Sequence, residues 1–471
     1  MKNRKMIILC LIVFVFGVSV AYAAETILSK EIFFDNGNTN LKATNVQDAL
    51  EELYSKAKSE KSCSANVAEP VLKDGLIPVK IADDGTVTYA DTNKSWYDYC
   101  DKVWANAVIL NDGVSYNIGD TIKESDIQSY FVWIPKYKYK LWNVDSPSKN
   151  AHEIDIIFDT KDTTDISGVS CKTPMTSGSS GNCKNGEYMT HPAFISMGVN
   201  GFWVGKFETG YKGATSATAA QVNSNDSSKV IIKPNVYSWR VISIKNIFEA
   251  SYNYKRILNS HMMKNTEWGA VAYLSHSKYG INAEVNINNN SSYKTGYSAL
   301  PSTSQQTYPG TRGDGNNYNK VYNTETGYLA STTGNISGVY DMSGGTHEYV
   351  AGYMSGQLGS SGFSAATTLA NYDSKYFDVY SSSSAMTSYQ YRILGDATGE
   401  MGPFKTYLDG DNNSRYHNSW YGDLSYFVDS TSPWFGRGGY YVNGVLAGQF
   451  YFSRDTGGAS AAVGFRIVLS P

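Results

Sequence analysis

The stretch N-I-S-G-V-Y-D-M-S-G-G-T-H-E-Y, residues 335–349, organises the reading of this 471-residue chain. In it the apolar Val339, Tyr340 and Met342 are bounded by Gly338 on one side and by Gly344 and Gly345 on the other. Glycine takes φ > 0 at no steric cost, so the pattern is that of a short apolar strand running into a tight turn.

Upstream, Lys2, Arg4 and Lys5 precede an unbroken apolar run at residues 6–16, and Ala21-Tyr22-Ala23 offers a small-x-small cleavage site. This is the pattern of a secretory signal peptide over residues 1–24, which puts the mature chain outside the cell or on its surface. An uncleaved anchor is the alternative, disfavoured because Gly17 and Ser19 dilute the far end of the apolar run. Within residues 25–60, Thr44-Asn45-Val46-Gln47 reads as a capping box with Thr44 as N-cap and Gln47 at N3. Val46, Ala49, Leu50 and Leu53 follow at helical spacing, a short amphipathic helix that docks on a partner chain or packs on its own domain. Polar residues 56–70 read as a linker. Residues 61–127 read as a separate small β-rich region, with a hairpin around Asp83-Asp84-Gly85.

The chain is 41% hydrophobic and 18% charged, both low, and 37 Tyr with 43 Gly take up the difference. Tyrosine gives broad amphipathic contact area at small entropy cost, the property of adaptable binding surfaces, and it also has high strand propensity. A net charge of −3 leaves no global basic footprint, which argues against a nucleic-acid partner. Of the five cysteines, Cys10 departs with the signal peptide. Cys63, Cys100, Cys171 and Cys183 remain, enough for two disulfides in an oxidising compartment. Cys171 with Cys183 across a short loop is the first expectation and Cys63 with Cys100 the remainder, though three pairings are open. His152, His191, His261, His276, His347 and His417 are scattered and read as structural or surface residues. Asp409-Gly410-Asp411-Asn412-Asn413 opens like a calcium loop but lacks the required glycine and bidentate glutamate. Arg312-Gly313-Asp314 is an adhesion-type triplet of the kind that arises readily by chance.

The stretch at 335–349 resembles the N-x-x-G-L-Y-D-M-x-G-N-V-W-E-W signature of the formylglycine-generating enzyme (sulfatase-modifying factor) family. Asn335, Gly338, Tyr340, Asp341, Met342, Gly344 and Glu348 match; Gly345, Thr346, His347 and Tyr349 depart from Asn, Val, Trp and Trp. Further blocks resemble the family in order: Phe131-Val132-Trp133-Ile134-Pro135, Gly201-Phe202-Trp203-Val204-Gly205-Lys206-Phe207-Glu208-Thr209, Pro234-Asn235-Val236-Tyr237-Ser238-Trp239, Glu267-Trp268, Arg437-Gly438-Gly439 and Gly464-Phe465-Arg466. The resemblance implies an α+β, C-type lectin-like domain over residues 128–471. In the family, two cysteines after R-G-G carry a copper-dependent oxidation; their places here fall to Asn443 and Gly448, neither of which supplies a thiolate. The reading therefore leans away from an enzyme and expects no catalytic cofactor, with a formylglycine-generating-type oxidase or related enzyme as one alternative and a structural component of a surface fibre as another. Glu348 matches a family position near a structural calcium site, but its partner Asn is replaced by Gly345.

The C-terminal segment also resembles the terminal variable segment of retroelement-diversified C-type lectin-fold proteins of phages and bacterial surfaces, which likewise ends in G-F-R. The resemblance implies a binding face for a protein or glycan ligand at a cell surface. Trp434, Arg437, Tyr440, Asn443, Gln449, Tyr451, Arg454 and Asp455 are the residues expected to form it. Strand alternation would then turn Phe450 and Phe452 inward and Gln449, Tyr451 and Ser453 outward.

Overall fold

The computed structural model describes residues 32–35, 41–60, 67–144, 150–159, 183–299, 320–364, 369–380, 392–402 and 419–471. Cys63, Cys171, His417, the signal peptide, the Arg312 triplet and the Asp409 loop lie outside them. The chain divides into two compact units, residues 1–63 and 64–471.

In the first unit, helix α1 (Val46–Glu60) forms where the periodicity places it and continues through residues 56–60, the start of the expected linker, and its cap sits one residue later than the capping-box reading. Asn45 is the cap: its Oδ1 accepts from the Asp48 amide at 2.8 Å and its Nδ2 donates to the Asp48 carboxylate at 2.8 Å. Glu52 then reaches back to accept from the Lys42 and Ala43 amides at 2.6 and 2.9 Å. Of the apolar face, Ala49 is buried while Leu50 is 48% exposed, next to Ile32 at 45% and Phe33 at 79%.

The second unit is α+β. In chain order its strands are β1 (Ile77–Ile81), β2 (Val87–Tyr89), β3 (Asn106–Leu110), β4 (Thr121–Ile122), β5 (Ile127–Pro135), β6 (Tyr137–Lys140), β7 (Ile156–Phe158), β8 (Tyr188–Thr190), β9 (Gly201–Gly205), β10 (Gly210–Tyr211) and β11 (Val230–Ile231). After these come β12 (His261–Met262), β13 (Tyr297–Ser298), β14 (Lys320–Val321), β15 (His347–Met354), β16 (Asp378–Tyr380), β17 (Trp434–Arg437), β18 (Phe452–Asp455), β19 (Val463–Phe465) and β20 (Ile467–Leu469). The helices are α2 (Pro192–Met197), α3 (Ile244–Tyr254) and α4 (Asn265–Ser275).

An eight-stranded antiparallel sheet runs β12-β20-β9-β5-β3-β1-β2-β4. β5 is buried along nearly its whole length and lies between β3, with Val108 opposite Tyr130, and β9, with Trp203 opposite Trp133. This corrects the expected boundary. Residues 61–127 are not a separate appendage, because β1 to β4 complete the sheet that β5 centres, and the compact unit begins at residue 64. The expected hairpin is present, with Ile81 opposite Val87 and Gly85 at φ 89° in the turn.

A second sheet centres on β15. β17 pairs with one edge of β15, and the other edge is shared by β19 against His347–Tyr349 and β16 against Gly352–Met354; β18 pairs with β17. The chain crosses from this sheet to the large one between β19 and β20, through the single residue Arg466. Helix α3 buries Ile244, Ile247 and Phe248, while Tyr252, spaced for the same face, is only half-buried. α4 is buried on every side, so it carries no polar face.

Candidate functional site

Residues 335–346 form one compact turn at the junction of the sheets; the short strand expected over Val339, Tyr340 and Met342 does not form, and the strand here is β15, which begins at His347. Asn335 Oδ1 accepts from the Ser337 amide at 2.9 Å and its Nδ2 donates to the Lys102 carbonyl at 2.9 Å. Buried Lys206 closes the far side, donating to Asn106 Oδ1 and to the carbonyls of Ile336 and Gly338 at 2.9, 2.6 and 2.9 Å. Asp341 stands at φ 62°, a conformation Asp tolerates better than most residues. That turn aims its carboxylate at the Gly296 amide and Asn288 Nδ2, both at 2.9 Å. Arg466 grips both oxygens of Glu348 through Nε and Nη2, at 3.1 and 2.5 Å. Nη1 and Nη2 also donate to the carbonyls of Gly205 and Tyr340, at 2.8 and 2.9 Å.

This arrangement explains why glycine stands at 345. At Gly345, where φ is 67°, an added Cβ would lie 2.2 Å from Glu208 Oε1. Glu208 is buried and its carboxyl is held well above its ordinary range, first by burial and then by the nearby Asp341 and Glu348. Its oxygens meet the Thr346 amide at 2.6 Å and Ser238 Oγ at 2.5 Å. The donor set does not fit calcium at Glu348, because a guanidinium occupies both carboxylate oxygens where the cation would bind. Among the described residues no group of three His, Cys, Asp or Glu side chains could hold a metal ion.

From β17 the chain enters a loop through Gly438 and Gly439, at φ 79° and 71°. Gly448 returns to close it, donating to the Gly438 carbonyl at 3.1 Å, and the Tyr441 amide ties the loop to the Gly345 carbonyl at 3.0 Å. Asn443 shapes its tip, with Oδ1 accepting from the Tyr440 amide at 2.7 Å. At Gly448 a Cβ would lie 2.0 Å from Asp423 Oδ2, the atom that accepts from the Phe450 amide at 2.9 Å. No side chain fits at that position without displacing Asp423. Cys100 and Cys183 are disulfide-bonded and so do not supply thiolates.

The expected binding face is only partly at the surface. Phe450 and Phe452 are buried, as alternation predicts, but Gln449, Tyr451 and Ser453, expected outward, are buried too, at 3%, 5% and 9% exposure. β18 begins at Phe452, and the residues before it form a turn, so the period of two does not extend back to 449. Gln449 accepts from the Trp268 indole through its carbonyl at 2.8 Å, and Tyr451 packs edge-on against His347 at 5.2 Å. Trp434 is buried and stacks on Tyr353 at 4.9 Å. Arg437 is wholly buried, donating to the Ala397 carbonyl at 2.9 Å and lying against the Trp268 and Phe452 rings. Trp434, Arg437, Gln449 and Tyr451 therefore belong to the core. Arg454 and Asp455 are half-buried and internally engaged, Arg454 with Asp429 and Tyr426, and Asp455 with the Tyr349 hydroxyl at 2.5 Å.

Tyr440 and Asn443 remain at the surface, and the fold adds partners to them from distant parts of the chain. Tyr440 meets Tyr441 at 5.9 Å and 85°, and Tyr441 meets Tyr293 at 4.8 Å and 81°. The Tyr293 ring lies 3.8 Å over the Arg240 guanidinium. Beside it, Tyr237 pairs with Lys294 across a backbone bridge, the ammonium 5.4 Å from the ring. All four tyrosines are half-buried, held by neighbours yet open to solvent. Sequence reading missed Tyr237, Tyr293 and Lys294; the one local signal was an aromatic-cation pair inside the Asn/Ser run at 288–294. No family model matches the chain, and a search of curated proteins returns no match.

Proposed function

We propose that this chain is an exported binding protein, built on a C-type lectin-like domain of the formylglycine-generating type without oxidase chemistry. It recognises a protein or glycan at a cell surface through the tyrosines around the 438–448 loop. The observation that carries this reading is the ladder of Tyr440, Tyr441 and Tyr293 on Arg240: rigid, half-exposed aromatic rings supply contact area with little ordering left to do on binding. Loss of the oxidase is supported by Asn443 and by Gly448, whose position against Asp423 admits no thiol.

The test is binding of the purified mature chain to immobilised glycans and to intact cells, compared with Tyr440→Ala and Tyr441→Ala. Binding should fall at least about tenfold in one or both variants, as for aromatic anchors at interfaces. Unchanged binding by both would overturn the proposal. A second reading, attachment of the N-terminal module to another chain in a surface fibre, is favoured by exposed Ile32, Phe33 and Leu50.

A further inference from the structure

Two cations, Arg240 and Lys294, stand at the tyrosine ladder. Arg240 is 2% exposed and donates to the carbonyls of Ala461 and Ala217 at 2.5 and 2.7 Å. Lys294 is half-buried beside Tyr237. Among the described residues neither takes part in an ion pair. The carboxyl group that acts on Arg240 is the buried Glu208, whose hold on its proton is raised by burial and by the nearby Asp341 and Glu348. The loop between them carries Asn289, Asn290, Ser291 and Ser292, all neutral. The surface is thus aromatic and electropositive in a chain of net charge −3.

Its backbone is already committed. The Tyr440 amide goes to Asn443 Oδ1, the Tyr441 amide to Gly345 and the Tyr293 amide to Asn290, at 2.7, 3.0 and 2.9 Å. No row of free main-chain groups is left to which a peptide strand could add. Tyr293 sits at φ 53°, a conformation uncommon for an aromatic residue, and the carbonyl it presents accepts from the Ser238 amide at 3.0 Å. Its ring is held in place by this geometry before any ligand arrives.

We infer that the surface formed by Tyr237, Tyr293, Lys294, Tyr440 and Tyr441 takes an acidic saccharide, a sugar ring bearing a carboxylate. The apolar face of the sugar lies on a tyrosine ring and its carboxylate meets the Lys294 ammonium. This rests on the reading that the loop face binds a ligand, and it adds the chemical class.

The experiment titrates the mature chain by calorimetry with oligogalacturonate, sialyllactose, a malto-oligosaccharide and poly-glutamate. One or both acidic saccharides should bind, less tightly as salt rises, with the neutral saccharide and poly-glutamate much weaker. Lys294→Gln should weaken acidic-saccharide binding about two- to fivefold, the scale of a partly exposed ion pair. Tyr441→Ala should weaken it by more than about tenfold. If the malto-oligosaccharide binds equally well and only Tyr441→Ala matters, the acidic class is overturned and the binding face stands. Preference for poly-glutamate overturns it in favour of an acidic peptide. Binding of none of the four overturns the acidic class, binding that survives Tyr441→Ala overturns the placement of the saccharide on this surface, and binding that survives both Tyr440→Ala and Tyr441→Ala overturns both readings.

Discussion

Ser238 has one hydroxyl proton and two acceptors in reach, Glu208 Oε2 at 2.5 Å and the Tyr293 carbonyl at 3.1 Å. The conflict resolves if Glu208 keeps its own proton and donates it to Ser238 Oγ, leaving the hydroxyl to donate to Tyr293. Burial raises the Glu208 carboxyl well above its ordinary value of 4.5, in the direction this chain of bonds requires. A proton held by the folded state and lost by the unfolded state makes unfolding release a proton, so this contribution to stability is full below the ordinary value and is lost as pH rises through the raised one. Glu208→Gln reproduces both bonds, with Nε2 donating to Ser238 and Oε1 accepting from Thr346, and it cannot ionise. Chemical denaturation from pH 5 to pH 9 should give a shallower loss of stability in Glu208→Gln than in the wild type; an equal or steeper loss would refute the protonated assignment. The residue was legible as part of a strand motif, but its burial was not: nothing local in Lys206-Phe207-Glu208 shows that both charged side chains turn into the core.

At the scale of elements, the motif turn and the last two strands are joined by one side chain. Arg466 stands between β19 and β20 and binds Glu348 of β15, the Gly205 carbonyl of β9 and the Tyr340 carbonyl of the turn. Arg466→Met leaves these acceptors buried and unmet, and should cost about 3–5 kcal/mol, the range for breaking one side of a buried pair. Glu348→Met combined with Arg466→Met should recover part of that loss, since an apolar pair avoids the buried carboxylate. Urea unfolding of the three proteins measures both; a single-variant cost under about 1 kcal/mol would show that the guanidinium is dispensable. Gly338, Gly344 and the G-F-R ending could be read as belonging to one structure because each carries a local backbone demand. The failure at Gln449 and Tyr451 has an equally local cause. Alternation is valid only inside a strand, and residues 449–450 are a turn ahead of β18; at the start of β18 both faces are covered, so Ser453 is buried beside Phe452. The Tyr293–Tyr441 contact had no local signature, because it depends on two loops brought together by the Asn288 and Gly345 backbone, with the Gly345 amide donating to the Asn288 carbonyl at 2.8 Å.

At the scale of the whole molecule, the family-like blocks begin near residue 128 while the folded unit begins at 64, and the physics favours the larger boundary. The pattern of β5 shows a strand buried on both faces but not which strands flank it, so β3 was invisible as its neighbour. Removing residues 64–127 would strip β3 from one full edge of β5, exposing a long apolar strand with unpaired amides and carbonyls. It would also delete Asn106, the side-chain acceptor for buried Lys206. The Lys102 carbonyl that anchors Asn335 and Trp104, whose indole donates to the Tyr279 carbonyl at 2.8 Å, would go with it. These losses reach the 335–349 turn itself, so the shorter chain should lack not only a sheet edge but the packing of the motif. A chain of residues 64–471 should show near-ultraviolet circular dichroism and a cooperative thermal transition, whereas residues 128–471 should show neither and should aggregate. A cooperative transition in the shorter chain within about 5 °C of the longer one, a shift worth about 4 kcal/mol in a domain of this size, would restore the smaller domain boundary.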